Sequence, residues 1–430
     1  FVASLPFGLT GSQRRSIWEI VQDLAKPRPM NRLLEGDVGS GKTVVAAVVS
    51  LLAVKAGFRV AFMAPTEILA RQHYETLQKI LHPFGLKIGL MTGAEKKTGP
   101  DTDIAVGTHA LIQDRVKFQN LGLVIVDEQH RFGVQQRAAL LKNYELGSMN
   151  YGIPHFLSMS ATPIPRTLAL TIYGDLELSL LDEMPKSRKE IITKIVEPGK
   201  RGEAYEFIRS EVKKGRQAFV ICPRIEANNE ISNFQFPIFN QQKLLLTEVK
   251  SVKEEYKKLS EEIFKDLRVA MLHGKMKSKE KEAVMRKFRN KEFDILVSTS
   301  VVEVGVDVAN AAIMMIEGAE RFGLAQLHQF RGRVGRGAEQ SYCFLFSTED
   351  GMAAKRLRAV VEAKNGFELA EKDLEIRGPG DFFGTRQWGV SPNVLAAFTD
   401  AKLVREVRHE AAQILNQDPT LRRFPELKQR

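Results

Sequence analysis

Short apolar runs alternate with helical patterns along the first half of the chain. Each run ends in a small, hydroxyl or acidic residue, as buried parallel strands often do at a ligand-binding edge. Together, the runs and the helical patterns between them indicate a doubly wound α/β domain with a parallel sheet. The runs predict strands at residues 59–64, 88–92, 104–107, 121–126 and 155–159.

A second alternation follows a charged, proline-containing connector at residues 182–189. Asn, Gln and Phe dominate residues 228–242, which we interpret as a loop insertion. Apolar positions three and four apart over residues 245–263 predict an amphipathic helix, with its Lys/Glu run as a solvated face. The apolar runs of this half predict strands at residues 218–222, 269–272, 295–298, 313–316 and 342–346.

A third region with helical spacing begins near residue 351. An Asn365-Gly366 break separates a first helix from a second one predicted over residues 367–375. We therefore predict an α/β protein with two tandem, doubly wound parallel-sheet domains, followed by a small helical hairpin and loop region. The predicted boundaries are residues 1–184, 185–348 and 349–430.

Composition adds charge to this picture. The chain has 63 Lys and Arg against 52 Asp and Glu, a formal net charge of +11, which favours a polyanion such as nucleic acid or, less often, a membrane surface. No apolar run is long enough to span a bilayer, and Cys222 and Cys343 fit neither a disulfide framework nor a metal site. We expect a cytoplasmic protein, and because the chain begins with Phe1, a piece of a longer one.

Residues 34–43, LEGDVGSGKT, carry the most specific local signal. They match the phosphate-loop pattern G-x-x-x-x-G-K-[ST] between an apolar run and a helical one. Glycines let backbone amides turn toward phosphate oxygens, the lysine reaches the β- and γ-phosphates, and the threonine hydroxyl can ligate Mg²⁺. A plain glycine turn is the alternative, and the partner motifs below weaken it. The expected nucleotide contacts are Gly36, Gly39, Ser40, Gly41, Lys42 and Thr43.

Phe7 and Gln13 lie before the phosphate loop and can contact the base of a nucleotide. A glutamine amide both donates to and accepts from an adenine edge, and a phenyl ring can stack on adenine. An ordinary capped helix that begins near Thr10 explains the same residues without any ligand.

Acidic and hydroxyl residues follow two apolar runs of the first half. Asp127 and Glu128 come directly after residues 121–126, where one carboxylate can hold Mg²⁺ through water and the other can orient or deprotonate an attacking water. Ser160 and Thr162 follow residues 155–159 and can relay hydrogen bonds between nucleotide and substrate. With Lys42, these residues indicate a site that hydrolyses a nucleotide.

Arginines cluster in the second half, within QFRGRVGR at residues 329–336. Arg333 and Arg336 are three apart, on one helical face, and a guanidinium can pair with phosphate in a bidentate manner. If the two halves pack face to face, both arginines reach the γ-phosphate across a cleft. Gly305 and Asp307 are expected at the same cleft. The alternative for the two arginines is a basic patch that binds nucleic acid.

Residues 377–389, RGPGDFFGTRQWG, have no core pattern. A stretch rich in glycine, arginine and aromatic residues indicates a functional loop, in which Arg386 and Gln387 can donate to a phosphate. A structural lid packed on the second domain is the alternative.

Taken together, these motifs resemble those of the superfamily-two helicases and translocases. The ordered set is a glutamine segment, GDVGSGKT, APTEILARQ, GTHAL, DEQH, SAT, TSVVEVGVDV and QFRGRVGRG. Within that superfamily, DEQHRFGVQQR, SATPIPRTLAL, LDEMP with Arg188 shortly after it, and IRGPGDFFGTRQWG resemble the RecG family of branch-migrating DNA translocases. The transcription-repair coupling factor Mfd is the nearest rival.

The resemblance implies two RecA-like domains and an ATP- and Mg²⁺-dependent translocase that remodels stalled replication forks and Holliday junctions. It assigns Lys42 and Thr43 to phosphates and Mg²⁺, Asp127 to Mg²⁺ and Glu128 to the general base. Arg333 and Arg336 become arginine fingers. Contact with DNA, or coupling to it, is implied for Thr66, Thr92, Thr108, His130, Ser160, Thr162, His273, Thr299, Gln329, Arg377, Arg386 and Gln387.

Members of the RecG family also have an amino-terminal wedge domain that splits the fork, and no segment of this sequence corresponds to it. We therefore expect a motor without its junction reader. A single-stranded DNA-binding protein is a candidate partner, no membrane partner is expected, and the chain is expected to be a monomer. An RNA helicase of the DEAD-box kind and a non-enzymatic nucleotide switch remain alternatives, although Glu128 and the arginines that a switch would lack are present.

Overall fold

The computed structural model describes residues 1–93, 95–99, 101–112, 119–128, 153–162, 176–185, 188–223, 252–299, 308–335, 337, 339–348, 352–377, 401–418 and 420–428. These residues form two sheets flanked by helices, and a helical hairpin packs beside the second sheet. The predicted α/β class with two tandem doubly wound sheets is confirmed. The predicted insertion at 228–242 lies outside the described residues.

The first sheet has eight strands. They are β1 (Asn31–Gly36), β2 (Arg59–Met63), β3 (Ile88–Met91), β4 (Lys96–Lys97), β5 (Ile104–Gly107), β6 (Leu121–Asp127), β7 (His155–Ser160) and β8 (Glu177–Leu181). Their order is β4-β3-β5-β2-β6-β7-β1-β8, and only the β3–β4 pair is antiparallel. The flanking helices are α1 (Gly11–Leu24), α2 (Lys42–Lys55) and α3 (Glu67–Leu81).

The second sheet has six strands, all parallel. They are β9 (Ile192–Val196), β10 (Gln217–Ile221), β11 (Val269–Leu272), β12 (Ile295–Ser298), β13 (Ala311–Glu317) and β14 (Tyr342–Phe346), in the order β11-β12-β10-β13-β14-β9. The helices of this half are α4 (Arg201–Lys213), α5 (Ser278–Arg289), α6 (Leu324–Arg331), α7 (Met352–Glu362), α8 (Gly366–Arg377), α9 (Ala401–Gln417) and α10 (Pro425–Lys428).

Central strands agree with the prediction to within two residues at each end because both of their faces are buried. In β6, for example, every residue except Gly122 is buried, so the strand reads as an unbroken apolar run. The edge strands β8 and β9 were not predicted, because their exposed and half-exposed positions break the apolar pattern. The predicted amphipathic helix is helical over residues 252–263, where Val252 and Leu259 are buried.

Helices α7 and α8 form the predicted hairpin and share a core with the second sheet. Leu357 and Val360 of α7 and Leu369 of α8 pack in one buried cluster with Leu327 and Phe330 of α6. The hairpin is therefore packed against α6, the helix in which the arginine cluster begins. None of the helices described is both long and apolar enough to cross a membrane.

The order of the first sheet brings the candidate residues to one edge. Strands β6, β7 and β1 are adjacent and parallel, with Asp127 beside Met159 and Ser160 beside Glu35 in register. Because parallel strands end at the same edge, the phosphate loop after β1 and the acids at the end of β6 lie close together.

Candidate nucleotide-hydrolysis site

The phosphate loop occupies residues 37–41, between β1 and α2. Gly39 and Gly41 have φ angles of +86° and +93°, which residues with a side chain rarely adopt. At Gly36, a Cβ atom would lie 2.6 Å from Ser40 Oγ and 2.7 Å from Leu181 Cβ. The three glycines therefore permit a tight loop at the start of a long helix, the backbone geometry that binds phosphate.

Lys42 points back onto its own loop. Its Nζ donates to the carbonyl oxygens of Gly36 and Asp37, at 2.6 and 2.9 Å. Burial lowers the pKa of Lys42, while the charges of Glu128, Asp127 and Asp37 act in the opposite direction. A phosphate that enters the loop would compete with these two carbonyls for the ammonium group.

Asp127 ends β6 and is held on both oxygens. His73 Nε2 lies 2.7 Å from Oδ2, and the amide of Glu128 donates to Oδ1 at 3.1 Å. Burial alone would raise the pKa of Asp127, but the hydrogen bond and charge of His73 and the charge of Lys42 hold it below its ordinary value. Asp127 is therefore a fixed carboxylate.

The pKa of Glu128 shifts in the opposite direction to that of Asp127. Glu128 is a non-glycine residue in the left-handed region, with φ of +51°, and its side chain is buried beside Asp127. Burial and the charge of Asp127 raise the pKa of Glu128, against the opposing charges of Lys42 and Arg333. Two neighbouring carboxyl groups whose pKa values are pushed apart are characteristic of acid–base sites.

The two halves of the chain meet across a cleft of about 490 Å³. From the second half, Gln329 and Arg333 reach it, and both are buried. Arg289, at the end of α5, also lines the cleft and was not predicted. The predicted residues that line the cleft are Gly39, Gly41, Lys42, Thr43, Asp127, Glu128, Gln329 and Arg333.

Gln13 supports the phosphate loop. Its Nε2 donates to the carbonyl of the buried Ser40 at 2.8 Å, and its Oε1 accepts from the amide of Thr10 in a capping box at 2.9 Å. Phe7 is exposed at the surface before α1. The predicted adenine contacts of Gln13 and Phe7 stay predictions.

Four residues predicted to contact DNA or couple to it have local partners. Thr66 Oγ1 accepts from the amide of Leu69 at the start of α3, and Thr92 Oγ1 accepts from the amide of Glu95. Ser160 Oγ and Thr162 Oγ1 are 2.6 Å apart, and the intervening amide of Ala161 donates to Glu128 Oε2 at 3.5 Å. Ser160 and Thr162 are thus connected to the acidic pair through the backbone.

Thr108, His273 and Thr299 differ from the other predicted DNA contacts. Among the described residues, Thr108 Oγ1, His273 Nδ1 and Thr299 Oγ1 are buried atoms without a hydrogen-bond partner. Burial lowers the pKa of His273, and the charges of Lys253 and, to a smaller extent, Lys281 lower it further. His130, Gly305, Asp307, Arg336, Arg386 and Gln387 lie outside the described residues, and of Arg377 the structure describes only its place at the end of α8.

Sequence reasoning missed His73 and gave Arg188, which it quoted only as part of a family motif, no role at the cleft. Arg188 donates from Nη1 to the carbonyl of Val38 and from Nη2 to those of Gly332 and Val334, at 3.0 and 3.1 Å. It therefore binds both walls of the cleft. No spacing pattern signals either contact, because each partner is distant in sequence.

Family models match three segments of the chain. A DEAD/DEAH box helicase model matches residues 10–171, and a helicase conserved C-terminal domain model matches residues 200–338. The model described as ATP-dependent DNA helicase RecG, domain 3, C-terminal, matches residues 363–428.

Relatives agree over nearly the whole chain. The ATP-dependent DNA helicase RecG of Synechocystis sp. is 48% identical over 437 residues, which cover 99% of this chain and 50% of that protein. The chain belongs to the RecG family. RecG of Aquifex aeolicus is 47% identical, with 99% and 53% coverage, and RecG of Bacillus subtilis is 44% identical, with 97% and 60%.

Solved structures agree with this membership. A structure of RecG bound to a three-way DNA junction has a TM-score of 0.74 and 43% identity, and covers 94% of this chain and 50% of that one. S. cerevisiae Dbp5 bound to RNA and ADP BeF3 shares the fold, with a TM-score of 0.56, 17% identity, and 84% and 92% coverage. The predicted RecG resemblance is confirmed, and the chain spans about half the length of the RecG proteins that it matches first.

Proposed function

We propose that this chain hydrolyses ATP in the cleft between its two sheets and uses the reaction to move along branched double-stranded DNA, as at replication forks and Holliday junctions. One observation carries the hydrolytic part. Lys42, Asp127 and Glu128 of the first half line the same cleft as Arg333 of the second half. Hydrolysis that needs both halves can drive their relative movement.

In the proposed reaction, Glu128 accepts a proton from a water molecule whose oxygen attacks the γ-phosphorus. The bond between that phosphorus and the β,γ-bridging oxygen breaks, and ADP and phosphate form. Lys42 and Arg333 balance the charge that develops on the phosphate oxygens. Arg336 is proposed as a second cation, and Gly305 and Asp307 as further nucleotide contacts.

Mg²⁺ is the metal that the donor set fits. Asp127 supplies a fixed carboxylate and Thr43 a hydroxyl at the same cleft, and Mg²⁺ typically takes one or two protein oxygens together with waters and substrate phosphates. No group of three ligating His, Cys, Asp or Glu side chains occurs among the described residues. The ion would neutralise phosphate charge when ATP is bound.

Two observations support nucleic acid as the track, and a third points to branched DNA. The chain is strongly basic, at +11. The buried polar atoms of Thr108, His273 and Thr299 that have no partner within the described part of the chain include two hydroxyls, a group that commonly binds phosphate. The related RecG structure, 43% identical, is described as bound to a three-way DNA junction. We propose that residues 377–389, with Arg377, Arg386 and Gln387, contact that DNA.

The remaining assignments complete the proposal. Thr66, Thr92, His130, Ser160, Thr162 and Gln329 are proposed to couple the cleft to DNA, and Phe7 and Gln13 to contact adenine. The proposed domains are residues 1–184, 185–348 and 349–430. A single-stranded DNA-binding protein is a proposed partner, and a cytoplasmic monomer is proposed, in which Cys222 and Cys343 stay as the free, buried thiols seen here.

The decisive experiment compares ATP turnover with forked duplex, linear duplex, single-stranded DNA and RNA, together with displacement of a third strand from a DNA triplex. Forked duplex should stimulate turnover most, and displacement should require ATP. Glu128→Gln is the inactive control. Stimulation by RNA alone would favour the RNA-helicase alternative, and turnover without displacement would rule out a translocase.

A further inference from the structure

Asp37 of the phosphate loop contacts the helical hairpin directly. Its carboxylate is buried and accepts from the amide of Gly366, the first residue of α8, with Oδ1 at 3.1 Å and Oδ2 at 3.0 Å. The same carboxylate lies 2.9 Å from His328 Nε2 on α6. One side chain thus joins the phosphate loop, helix α6, where the arginine cluster begins, and the hairpin.

The direction of these hydrogen bonds is fixed by Arg331. Its guanidinium contains only donors, and Nη2 lies 2.9 Å from His328 Nδ1, so Nδ1 accepts and Nε2 carries the hydrogen that Asp37 receives. Arg331 also donates from Nη1 to the carbonyl of Val360 at 2.7 Å and from both Nη atoms to that of Ala363 at 3.3 Å. The chain of bonds therefore runs from the end of α7, through α6, to the phosphate loop.

The charge of Asp37 is needed in this arrangement. Burial would raise the pKa of Asp37, but the hydrogen bonds from His328 and Gly366 hold it below its ordinary value, so the group is a carboxylate. All its partners donate, and a negative charge is favourable at the N-terminus of a helix such as α8. An amide at residue 37 would place its NH₂ group against a donor.

Nucleotide binding acts on this same residue. In this structure Lys42 donates to the main-chain carbonyls of Gly36 and Asp37. Under the proposed function, a bound phosphate draws Lys42 away from the Asp37 carbonyl. The next residue, Val38, is also constrained: it accepts from Arg188, and a Cβ atom at Gly332 would lie 2.7 Å from its Cβ.

We propose that Asp37 is a nucleotide-responsive latch, which fastens the phosphate loop to the hairpin of α7 and α8 and passes the occupancy of the loop to the hairpin. This inference rests on the proposed function, because it supplies the route from ATP to the DNA-contacting region after α8. Asp37 acts here as a positioning residue, through the hairpin, rather than on the reacting atoms.

Gly366 offers a matched pair of variants. It is the first residue of α8, where proline is well tolerated, and Asn365 before it caps the helix by accepting from the amide of Glu368 at 2.9 Å. Gly366→Pro removes the N–H that Asp37 accepts. Gly366→Ala keeps that N–H and controls for the added side-chain bulk. His328→Ala, on the other side of the carboxylate, is a second variant that removes the imidazole donor to Asp37 without altering α8.

The experiment uses the whole chain and two readouts. Hydrogen exchange of residues 352–377 is compared without nucleotide and with ADP and beryllium fluoride. Triplex displacement per ATP hydrolysed is measured on the same preparations, with melting temperatures as a check on folding. We expect the exchange of the wild-type hairpin to change with nucleotide. Gly366→Pro should lose that change and about tenfold in displacement per ATP relative to Gly366→Ala, the loss expected for one hydrogen bond to a charged group. His328→Ala should weaken both.

Two results would overturn the latch: hairpin exchange that ignores nucleotide in a wild-type chain that hydrolyses ATP and displaces strands, or a Gly366→Pro variant that matches Gly366→Ala in both readouts. If Gly366→Pro does not fold, unaltered exchange and displacement in His328→Ala would overturn it equally. Failure of the proposed function is a separate result, since the wild-type chain would then show no turnover or no displacement.

Discussion

His73 and Asp127, 54 positions apart in the sequence, lie with Nε2 and Oδ2 at 2.7 Å inside the cleft. The imidazole stands 4.7 Å from the ring of Phe62, measured between centroids, so packing on β2 fixes its orientation. Since Asp127 is the proposed Mg²⁺ ligand, His73 would orient that ligand without contacting the metal itself.

His73→Ala should therefore raise the Mg²⁺ concentration for half-maximal ATPase by about tenfold, the effect typical of losing a partner behind a metal ligand. Affinity for nucleotide measured without Mg²⁺ should change little. The control is His73→Gln, whose amide can still donate to Asp127. Equal Mg²⁺ dependence in wild type and His73→Ala would show that the carboxylate needs no such partner.

The cross-cleft arrangement predicts two classes of defect. Lys42→Ala should lose ATP binding or turnover, because the lysine belongs to the phosphate loop. Glu128→Gln and Arg333→Ala should bind ATP and fail to turn it over, because base and arginine act on the transition state. Equilibrium binding of a fluorescent ATP analogue and single-turnover hydrolysis separate these classes. Arg336→Ala is also expected to bind ATP and fail to turn it over. An Arg333→Ala variant that binds weakly yet turns over each bound ATP normally would refute the assignment.

The raised pKa of Glu128 predicts how hydrolysis depends on pH. The group can accept a proton only when ionised, so turnover of bound ATP should rise with pH through the pKa of Glu128. Burial and Asp127 place the midpoint above the ordinary value of 4.5. Turnover at saturating ATP, with circular dichroism as a check on folding, tests this. A rate that stays constant down to pH 4.5 while the protein remains folded would contradict the role of Glu128.

Asp23 and Arg32 should contribute to stability beneath the phosphate loop. Both are buried, and Arg32 of β1 donates to Asp23 Oδ2 from Nε at 2.8 Å and from Nη2 at 2.7 Å. Although burial acts to raise it, the pKa of Asp23 is lowered by its bonds to Lys26 and Arg32. The stability that it supplies is thus present above its unfolded pKa of about 3.8 and lost as pH falls.

Asp23→Asn should cost about 2 kcal/mol in the free energy of unfolding at pH 7, since it removes the nearer carboxylate from the buried Arg32 and leaves it, within the described residues, only that of Glu19, at 3.5 Å. The difference from wild type should shrink toward pH 3. Asp101→Asn is the matched control, because the Lys87–Asp101 pair is 3.5 Å long and strongly exposed. Urea unfolding at several pH values measures both variants, and equal stabilities of Asp23→Asn and Asp101→Asn would refute the prediction.

Sequence reasoning succeeds where function rests on a local pattern and a buried strand. Gly36, Lys42, Asp127 and Glu128 belong to contiguous motifs at the ends of apolar runs, and parallel topology brings those ends together. It does not find His73, whose signal is only its partner across the fold. It also misses Asp37, which occupies a variable position of the phosphate-loop pattern and whose importance depends on the hairpin.

Two further points concern an edge strand and a side chain that contacts the backbone. Strand β9 is half exposed and follows the connector directly, so its pattern gives no warning of a strand. Gln13 is predicted to contact adenine because an amide suits that base, and that contact stays a prediction; in the structure its two polar atoms cap α1 and hold Ser40. A residue type that fits a ligand can equally fit the backbone, and only geometry separates the two.

Arg188 also changes the meaning of the segment between the two sheets. A free tether would set the local concentration of one half around the other by its length alone. Here Arg188, which lies within that segment, donates to the carbonyl of Val38 in the first half and to those of Gly332 and Val334 in the second. Under the proposed function, the full contour length of the segment becomes available only after the bonds of Arg188 are broken, in addition to those of Asp37 with His328 and Gly366.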